Sequence, residues 1–443
     1  MKKVEFGDIV KVITTDKTYK GAYIDSYNKE IIILKQDSGY NLGIIKKGIK
    51  SIELIQKNKL KKNQKKNQKK SGLLTYKKDL PFISILKVGG TIVSKVDYKT
   101  GAVSAKISAE ELLQNIPELK DIANISYKDI ASVMSESMRF GHYNLIAKSI
   151  ESELKKNKNI KGIIIPHGTD TMHYTGAALS FMLENIPVPV ILVGSQRSSD
   201  RGSSDSFINI ICAACFIAKS DFKGVAICMH ENMSDNSCLI LPGTKTKKIH
   251  TSRRDAFKPI NTIAIARVIY SENKIEFLTE DYNSDYNEKK TFNVKYFKDN
   301  LKVGILKSHT NIYPENISCF KGYKGLILEG TGLGHFQSTA FDNISRINEK
   351  NKNEIKKLIK KGCIVILTSQ CLYGRVNMNI YSPQRELLDI GVIPGKDMTT
   401  ETAFIKLAFL LSNYSREQAK SLFLENLRSE INERILPHEF VDY

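Results

Sequence analysis

The sequence predicts an α/β protein in three parts: a large parallel-sheet domain, a smaller α/β domain after it and a small β-barrel-like domain ahead of both. Three observations carry this reading. The first fifty-odd residues repeat short alternating apolar runs broken by turn residues, which is the spacing of a small antiparallel barrel. From Leu80 onward β-branched runs alternate with helical periodicity, the mark of a parallel sheet with helices on both faces. A polar stretch from Thr279 to Lys290 then interrupts that alternation before it resumes. With 443 residues, the chain is too long for one ordinary core.

Taken in order, residues 1–56 form the barrel-like part, with runs such as Asp8-Ile9-Val10-Lys11-Val12-Ile13 and Glu30-Ile31-Ile32-Ile33-Leu34 giving about five strands. This part has no catalytic cluster and reads as a docking module. Residues 57–80 read as a flexible linker, because Lys57 to Lys78 holds ten lysines and no acid and cannot bury a core. In the large domain, residues 81–290, strands are expected at 83–88, 163–165, 190–193 and 225–228 and helices at 143–154, 171–183 and 207–218. In the smaller domain, residues 291–443, strands are expected at 303–306, 326–328 and 364–368 and helices at 338–361, 402–411 and 415–427.

The net charge of +20 implies attraction to a polyanion of the size of a tRNA, and half of it sits in the lysine-rich stretch. Whether that stretch touches nucleic acid or is a solvated spacer is open at this point. The chain starts without an apolar signal core and has no apolar run long enough to span a bilayer, so a cytoplasmic protein with no membrane contact is expected. Seven scattered cysteines read as reduced small hydrophobes. Cys212 and Cys215 have CxxC spacing but no second Cys or His pair, so no metal is expected.

Three stretches carry chemistry. Gly162-Ile163-Ile164-Ile165-Pro166-His167-Gly168-Thr169-Asp170-Thr171-Met172 reads as strand, turn and the start of an amphipathic helix. In an open α/β sheet that turn is where ligands bind. Read alone, Asp170 is equally a helix cap. Lys87-Val88-Gly89-Gly90-Thr91-Ile92 repeats the logic after the first strand of the large domain, although Gly-Gly-Thr alone is usually a plain turn. Thr246-Lys247-Lys248-Ile249-His250-Thr251-Ser252-Arg253-Arg254-Asp255-Ala256-Phe257 is a polar run between apolar ones, by itself a solvated basic loop. A fourth stretch, Glu329-Gly330-Thr331-Gly332-Leu333-Gly334-His335, lacks the last glycine of a dinucleotide pattern and the Gly-Lys-Ser/Thr of a P-loop, so a tight turn is expected there and no ATP site is visible.

Together the first three stretches resemble, in order and spacing, the L-asparaginase-like amidohydrolases: Gly89-Gly90-Thr91-Ile92 is similar to the first signature of that family and His167-Gly168-Thr169-Asp170-Thr171 to the second. Lys248, nine residues before Phe257, falls where the family has its catalytic lysine. A closer resemblance is to the D-type subunits of the archaeal-type glutamyl-tRNA(Gln) amidotransferases, a family that carries an extra N-terminal domain. Ser94 to Val103, His250 to Phe257 and Thr368 to Asn379 look like that family in particular. The sequence departs from it at Ser137, where asparagine is usual, and in Asp397-Met398-Thr399-Thr400-Glu401-Thr402, which lacks a proline common before the glutamate.

The resemblance implies an asparaginase-like fold and an amidohydrolase. Thr91 would attack the side-chain amide of glutamine, or of asparagine, to give an acyl-enzyme, and Thr169, Lys248 and Asp170 would form a hydroxyl, amine and carboxylate relay. The order in which the threonines act is open. Asp170 would also hold the substrate α-ammonium, and backbone N–H groups at the Gly89-Gly90-Thr91 and Gly168-Thr169 turns would meet the oxyanion. Ser135 and Glu136 match a serine and polar pair that contacts the α-groups of the amino acid; Tyr98, whose counterpart in the family helps position the nucleophile, lies in a Gly-rich, charged stretch expected to close as a lid. The family acts with a partner subunit that binds Glu-tRNA(Gln), ATP and Mg2+ and makes Gln-tRNA(Gln), and asparaginase-like sites borrow a wall from a neighbouring subunit, so a homodimeric core within a heterotetramer is expected, with no cofactor on this chain. Two other readings stand beside this one: a freestanding L-asparaginase or glutaminase, and a non-catalytic tRNA-binding scaffold.

Overall fold

The structure, a computed structural model, describes residues 4–5, 7–24, 30–36, 41–57, 71–73, 76–89, 95–96, 103–104, 116–197 and 203–440. Its N-terminal part is a five-stranded antiparallel sheet, in which Ile9–Thr14 lies between Thr18–Ile24 and Ile49–Gln56, and Ile31–Lys35 and Asn41–Ile45 extend one side. Alternate residues Val10 and Val12, with Ile32, Leu34 and Ile44, fill its separate core.

The large sheet has nine strands. Five central ones are parallel, in the order Gly224–His230, Pro189–Val193, Ile160–Pro166, Phe82–Lys87 and Asn124–Asp129. The parallel sheet expected from sequence stops there, because the four flanking strands run antiparallel. Gly224–His230 and Ser237–Pro242 are joined by a link too short for a crossover, so they can only form a hairpin. At the other edge Ser71–Leu73 pairs with Asn124–Asp129, which takes the end of the expected linker into the sheet. A three-residue strand held by backbone pairing leaves no periodicity to read.

Alternation along the central strands explains why they are apolar throughout. Ile163, Ile165, Val190 and Leu192 face one core, against the helices Phe140–Lys156 and Met172–Met182. Ile164, Ile191 and Val193 face the other, against Ser206–Lys219. Met172–Met182, expected to be amphipathic, is buried along nearly its whole surface, because Thr400–Asn413 covers the side that the sheet does not.

The smaller sheet is parallel throughout: Val303–Lys307, Gly325–Gly330, Ile364–Ser369 and Ile393–Pro394. Ile347–Lys360 packs on one face, and Thr400–Asn413 on the other joins the core of the large sheet. The helix expected from residue 338 begins only at Ile347. Before it, Ser345 accepts from Phe341 N–H (2.9 Å) and donates to Asp342, whose carboxylate accepts from Ser345 N–H (2.7 Å). Such local side-chain bonds compete with helix. Among the described residues no helix is long and apolar enough to cross a membrane.

Candidate active site

Sheet order fixes where a site can form. The chain leaves Phe82–Lys87 for Asn124–Asp129 on one side and returns to Ile160–Pro166 on the other, so the strand order reverses between Phe82–Lys87 and Ile160–Pro166. The crevice beyond the carboxyl ends of such a pair is the ligand site of open α/β sheets. Here the two strand ends are tied together, with Val88 N–H on Pro166 O (3.2 Å) and Val133 N–H on Val88 O (3.1 Å). Gly89 has φ of 145°, and a Cβ there would stand 2.2 Å from Val133 O, so only glycine fits.

The elbow at 166–171 is built around a buried imidazole. His167 N–H donates to Val193 O, its Nδ1 lies 2.7 Å from Gly168 O and its Nε2 3.0 Å from Thr175 Oγ1. A carbonyl only accepts, so Nδ1 carries the proton and Nε2 accepts from the threonine hydroxyl. Burial pushes the pKa of His167 down to about 4, which keeps the ring neutral. Thr171 Oγ1 donates to Ser135 O (2.7 Å), and a Cβ on Gly168 would meet Ser135 Oγ at 2.7 Å. The elbow therefore rests directly on the turn Ser135–Ser137.

Lys248 completes the arrangement from the ribbon of Thr246–Lys248 and Phe257–Pro259, in which Lys248 pairs with Phe257. Its Nζ donates to Thr169 Oγ1 (2.9 Å) and to Asp170 Oδ1 (2.7 Å). Thr169 is buried, the Lys248 side chain is 9% exposed and that of Asp170 65%. Asp170 is not the helix cap: the N-cap of Met172–Met182 is Thr171, with no side-chain cap bond. The Thr169 methyl lies so close to Gly194, 2.7 Å from where a Cβ would be, that the neighbouring strand end also fixes its rotamer. A hydroxyl, an amine and a carboxylate in this order can pass a proton from the hydroxyl to the amine whenever the amine is neutral.

Beside this trio opens a pocket of about 450 Å³ lined by Asp170, His173, Tyr174, Lys247, Lys248 and Glu401, among others. Lys247 Nζ donates to Glu401 Oε1 (2.8 Å). Burial opposes the charge on Glu401, but Lys247 outweighs it and holds the carboxyl below its ordinary range. Burial also pushes His173 down to about 4, although Glu401 pulls the other way. His173 Nδ1 and Glu401 Oε2 are buried with no hydrogen-bond partner among the described residues. Sequence reasoning gave no place to His173, Lys247 and Glu401, which line this pocket beside the trio. His173 follows Asp170 by three residues in the same motif, whereas Glu401 is far away in sequence and only the packing of Thr400–Asn413 brings it here.

Of the other residues named from sequence, Thr91 and Tyr98 lie outside the described residues, as does Gly90. Ser135 and Gly168 meet at the elbow, as described. Glu136 is exposed, and no hydrogen bond of it reaches the elbow among the described residues.

Comparison with known proteins finds relatives for every part of the chain that the family models cover. Residues 82–283 match the family described as Asparaginase, N-terminal, residues 302–423 the Glutaminase/Asparaginase C-terminal domain and residues 4–55 the GatD N-terminal domain. The thermostable L-asparaginase from Thermococcus kodakarensis superposes with a TM-score of 0.69 at 27% identity, over 80% of this chain and 100% of that one. L-asparaginase I from Vibrio cholerae does so with a TM-score of 0.67 at 28% identity, over 80% and 99%. The D-type glutamyl-tRNA(Gln) amidotransferase subunit of Methanococcus maripaludis is 44% identical across 98% of this chain and 99% of its own length. That of Pyrococcus furiosus is 42% identical across 99% and 98%. Solved asparaginases thus match the body of the chain, while these relatives match it almost end to end: the chain belongs to the family of D-type glutamyl-tRNA(Gln) amidotransferase subunits.

Proposed function

We propose that this chain is the glutaminase subunit of a tRNA-dependent amidotransferase, releasing ammonia from glutamine, or from asparagine as an alternative donor, for a partner that converts Glu-tRNA(Gln) to Gln-tRNA(Gln). The observation that carries this is Lys248 Nζ between Thr169 Oγ1 and Asp170 Oδ1 at the reversal point of the sheet. Thr91 attacks the amide carbon, the Thr169, Lys248 and Asp170 relay takes up and returns the proton, ammonia leaves, and water then frees glutamate from the acyl-enzyme. Asp170, more exposed than its partners, also holds the substrate α-ammonium. Ser135 and Glu136 contact the α-groups, and Tyr98 closes over the site.

ATP and Mg2+ belong to the partner subunit, and the core is a homodimer within a heterotetramer of the cytoplasm. The net charge of +20 supports a tRNA-bearing assembly, since long-range attraction to phosphates speeds encounter. The likeness of the body to solved L-asparaginases favours a second reading, a freestanding asparaginase. Against it stands the additional N-terminal sheet from Ile9 to Gln56, where residues 4–55 match the GatD N-terminal domain.

Ammonia release from glutamine by the purified chain, alone and then with partner, Glu-tRNA(Gln) and ATP, separates the two. A low basal rate that rises with the full set is expected. A high rate on free asparagine, indifferent to all three additions, would overturn the proposal.

A further inference from the structure

Two adjacent lysines enter the pocket beside the elbow, and only one of them serves the threonine. Lys248 bridges Thr169 and Asp170, while Lys247 reaches Glu401. The strand that carries both is weakly determined by its own pairing, being three residues long in a two-stranded ribbon outside the large sheet. Its place is set instead by the segment that leads into Thr400–Asn413. Lys245 Nζ meets Asp397 Oδ2 at 2.5 Å in a pair almost sealed from solvent, and Thr402 Oγ1 donates to Thr244 O at 2.6 Å. Glu401 is the third contact in that row.

We propose that Glu401 is a positioning residue that sorts these lysines, holding Lys247 away from Asp170 so that Lys248 alone bridges Asp170 and Thr169. A lysine ammonium is a point charge on a flexible stem, so two neighbouring lysines facing one accessible carboxylate compete for it. Asp170, 65% exposed, lines the same pocket as both lysines, whereas Glu401 is 13% exposed and offers Lys247 an attraction that water screens less. Glu401 sits in the first turn of its helix, where a carboxylate is favoured, and the Thr399 cap on Thr402 N–H (3.2 Å) fixes that turn. Removal of the Glu401 charge frees Lys247 to take Asp170, which pulls Lys248 out of line with the hydroxyl.

This inference rests on the glutaminase reading, and its test separates the two. The full chain with its partner subunit is assayed for ammonia release from glutamine as wild type, E401Q, K247M and the E401Q/K247M double variant. Misplacement of a reacting group by about 1 Å costs up to about 10²-fold, so E401Q is expected to lose at least about tenfold in kcat with KM nearly unchanged. K247M removes the competitor and stays within about threefold of wild type, and the double variant returns to the K247M level. A role for the ion pair as a mere anchor predicts otherwise: both single variants impaired and the double no better. Melting temperatures taken in parallel report the stability lost with the pair, and if E401Q fails to fold, Glu401→Ala with and without K247M gives the same comparison. An active wild type whose E401Q variant is unimpaired, or is not rescued by K247M, overturns the sorting role alone. A wild type that releases no ammonia from glutamine or asparagine overturns both.

Discussion

The glycine-bearing turns at 166–171 and 330–335 both follow parallel strands, and they use their polar groups differently. At 330–335 the turn closes on itself: Thr331 N–H donates to His335 O (2.9 Å) and His335 N–H to Thr331 O (2.8 Å). Gln384 Nε2 donates to the carbonyls of Leu333 and Gly334, and Ser369 Oγ to that of Gly332. At 166–171 the backbone is fixed just as firmly, by His167 and Ser135, but the side chains of Thr169 and Asp170 turn outward to a lysine from another element. Glycine makes both turns possible. What distinguishes them is whether the protein consumes the polar groups of the turn or leaves them for something that enters.

Lys248→Met, which removes the amine and keeps most of the apolar stem, should separate the two turns most strongly. Loss of a proton-transfer group costs about 10²–10⁴-fold in rate, so ammonia release should fall by that order while the melting temperature barely moves. Gly194→Ala should act on the same site by packing, since its Cβ would press the Thr169 methyl at 2.7 Å. We expect at least about a tenfold loss of kcat from that shift, measured beside wild type in the same assay. The opposite pattern is expected at the other turn. Gly334 has φ of 95° and a Cβ would lie 2.7 Å from Val376 Cγ1, so Gly334→Ala should cost about 1–2 kcal/mol in denaturant unfolding and leave kcat nearly unchanged. An inactive but stable Gly334→Ala protein would show that the second turn, too, serves the reaction.

Much of this contrast was legible in the sequence, for reasons that differ by element. Runs such as Ile163-Ile164-Ile165 announce a strand buried on both faces, and the mismatch of His335 with a nucleotide pattern already marks 329–335 as a turn. Thr169, Asp170 and Lys248 could be named from their motifs, but their meeting could not, because Lys248 rides on a three-residue ribbon with no periodicity. The reversal of strand order was hidden for a similar reason. Asn124–Asp129, polar at Asn124, Ser126 and Lys128, does not read as a buried parallel strand, and without it the crevice has no address. His173 and Glu401 were missed because their significance lies in packing between two helices far apart in the chain.

The smallest expected effect concerns that packing and is read through pH. His173 is buried and its pKa is lowered from 6.5 to about 4, so the folded chain keeps it neutral where the unfolded chain protonates it. Below pH 6.5 the unfolded state therefore binds more protons, and stability rises with pH. The contribution is present in full above pH 6.5 and is lost progressively as pH falls toward 4, at no more than about 1.4 kcal/mol per pH unit. His167, buried at the elbow with the same shift, adds a second slope of the same sign. His173→Ala should remove one of the two. Urea midpoints measured at pH 7, 6 and 5 should then fall less steeply for the variant than for wild type. Parallel lines for the two proteins would mean that His173 gains its proton inside the folded pocket, against the neutral ring that its burial beside Lys247 and Lys248 enforces.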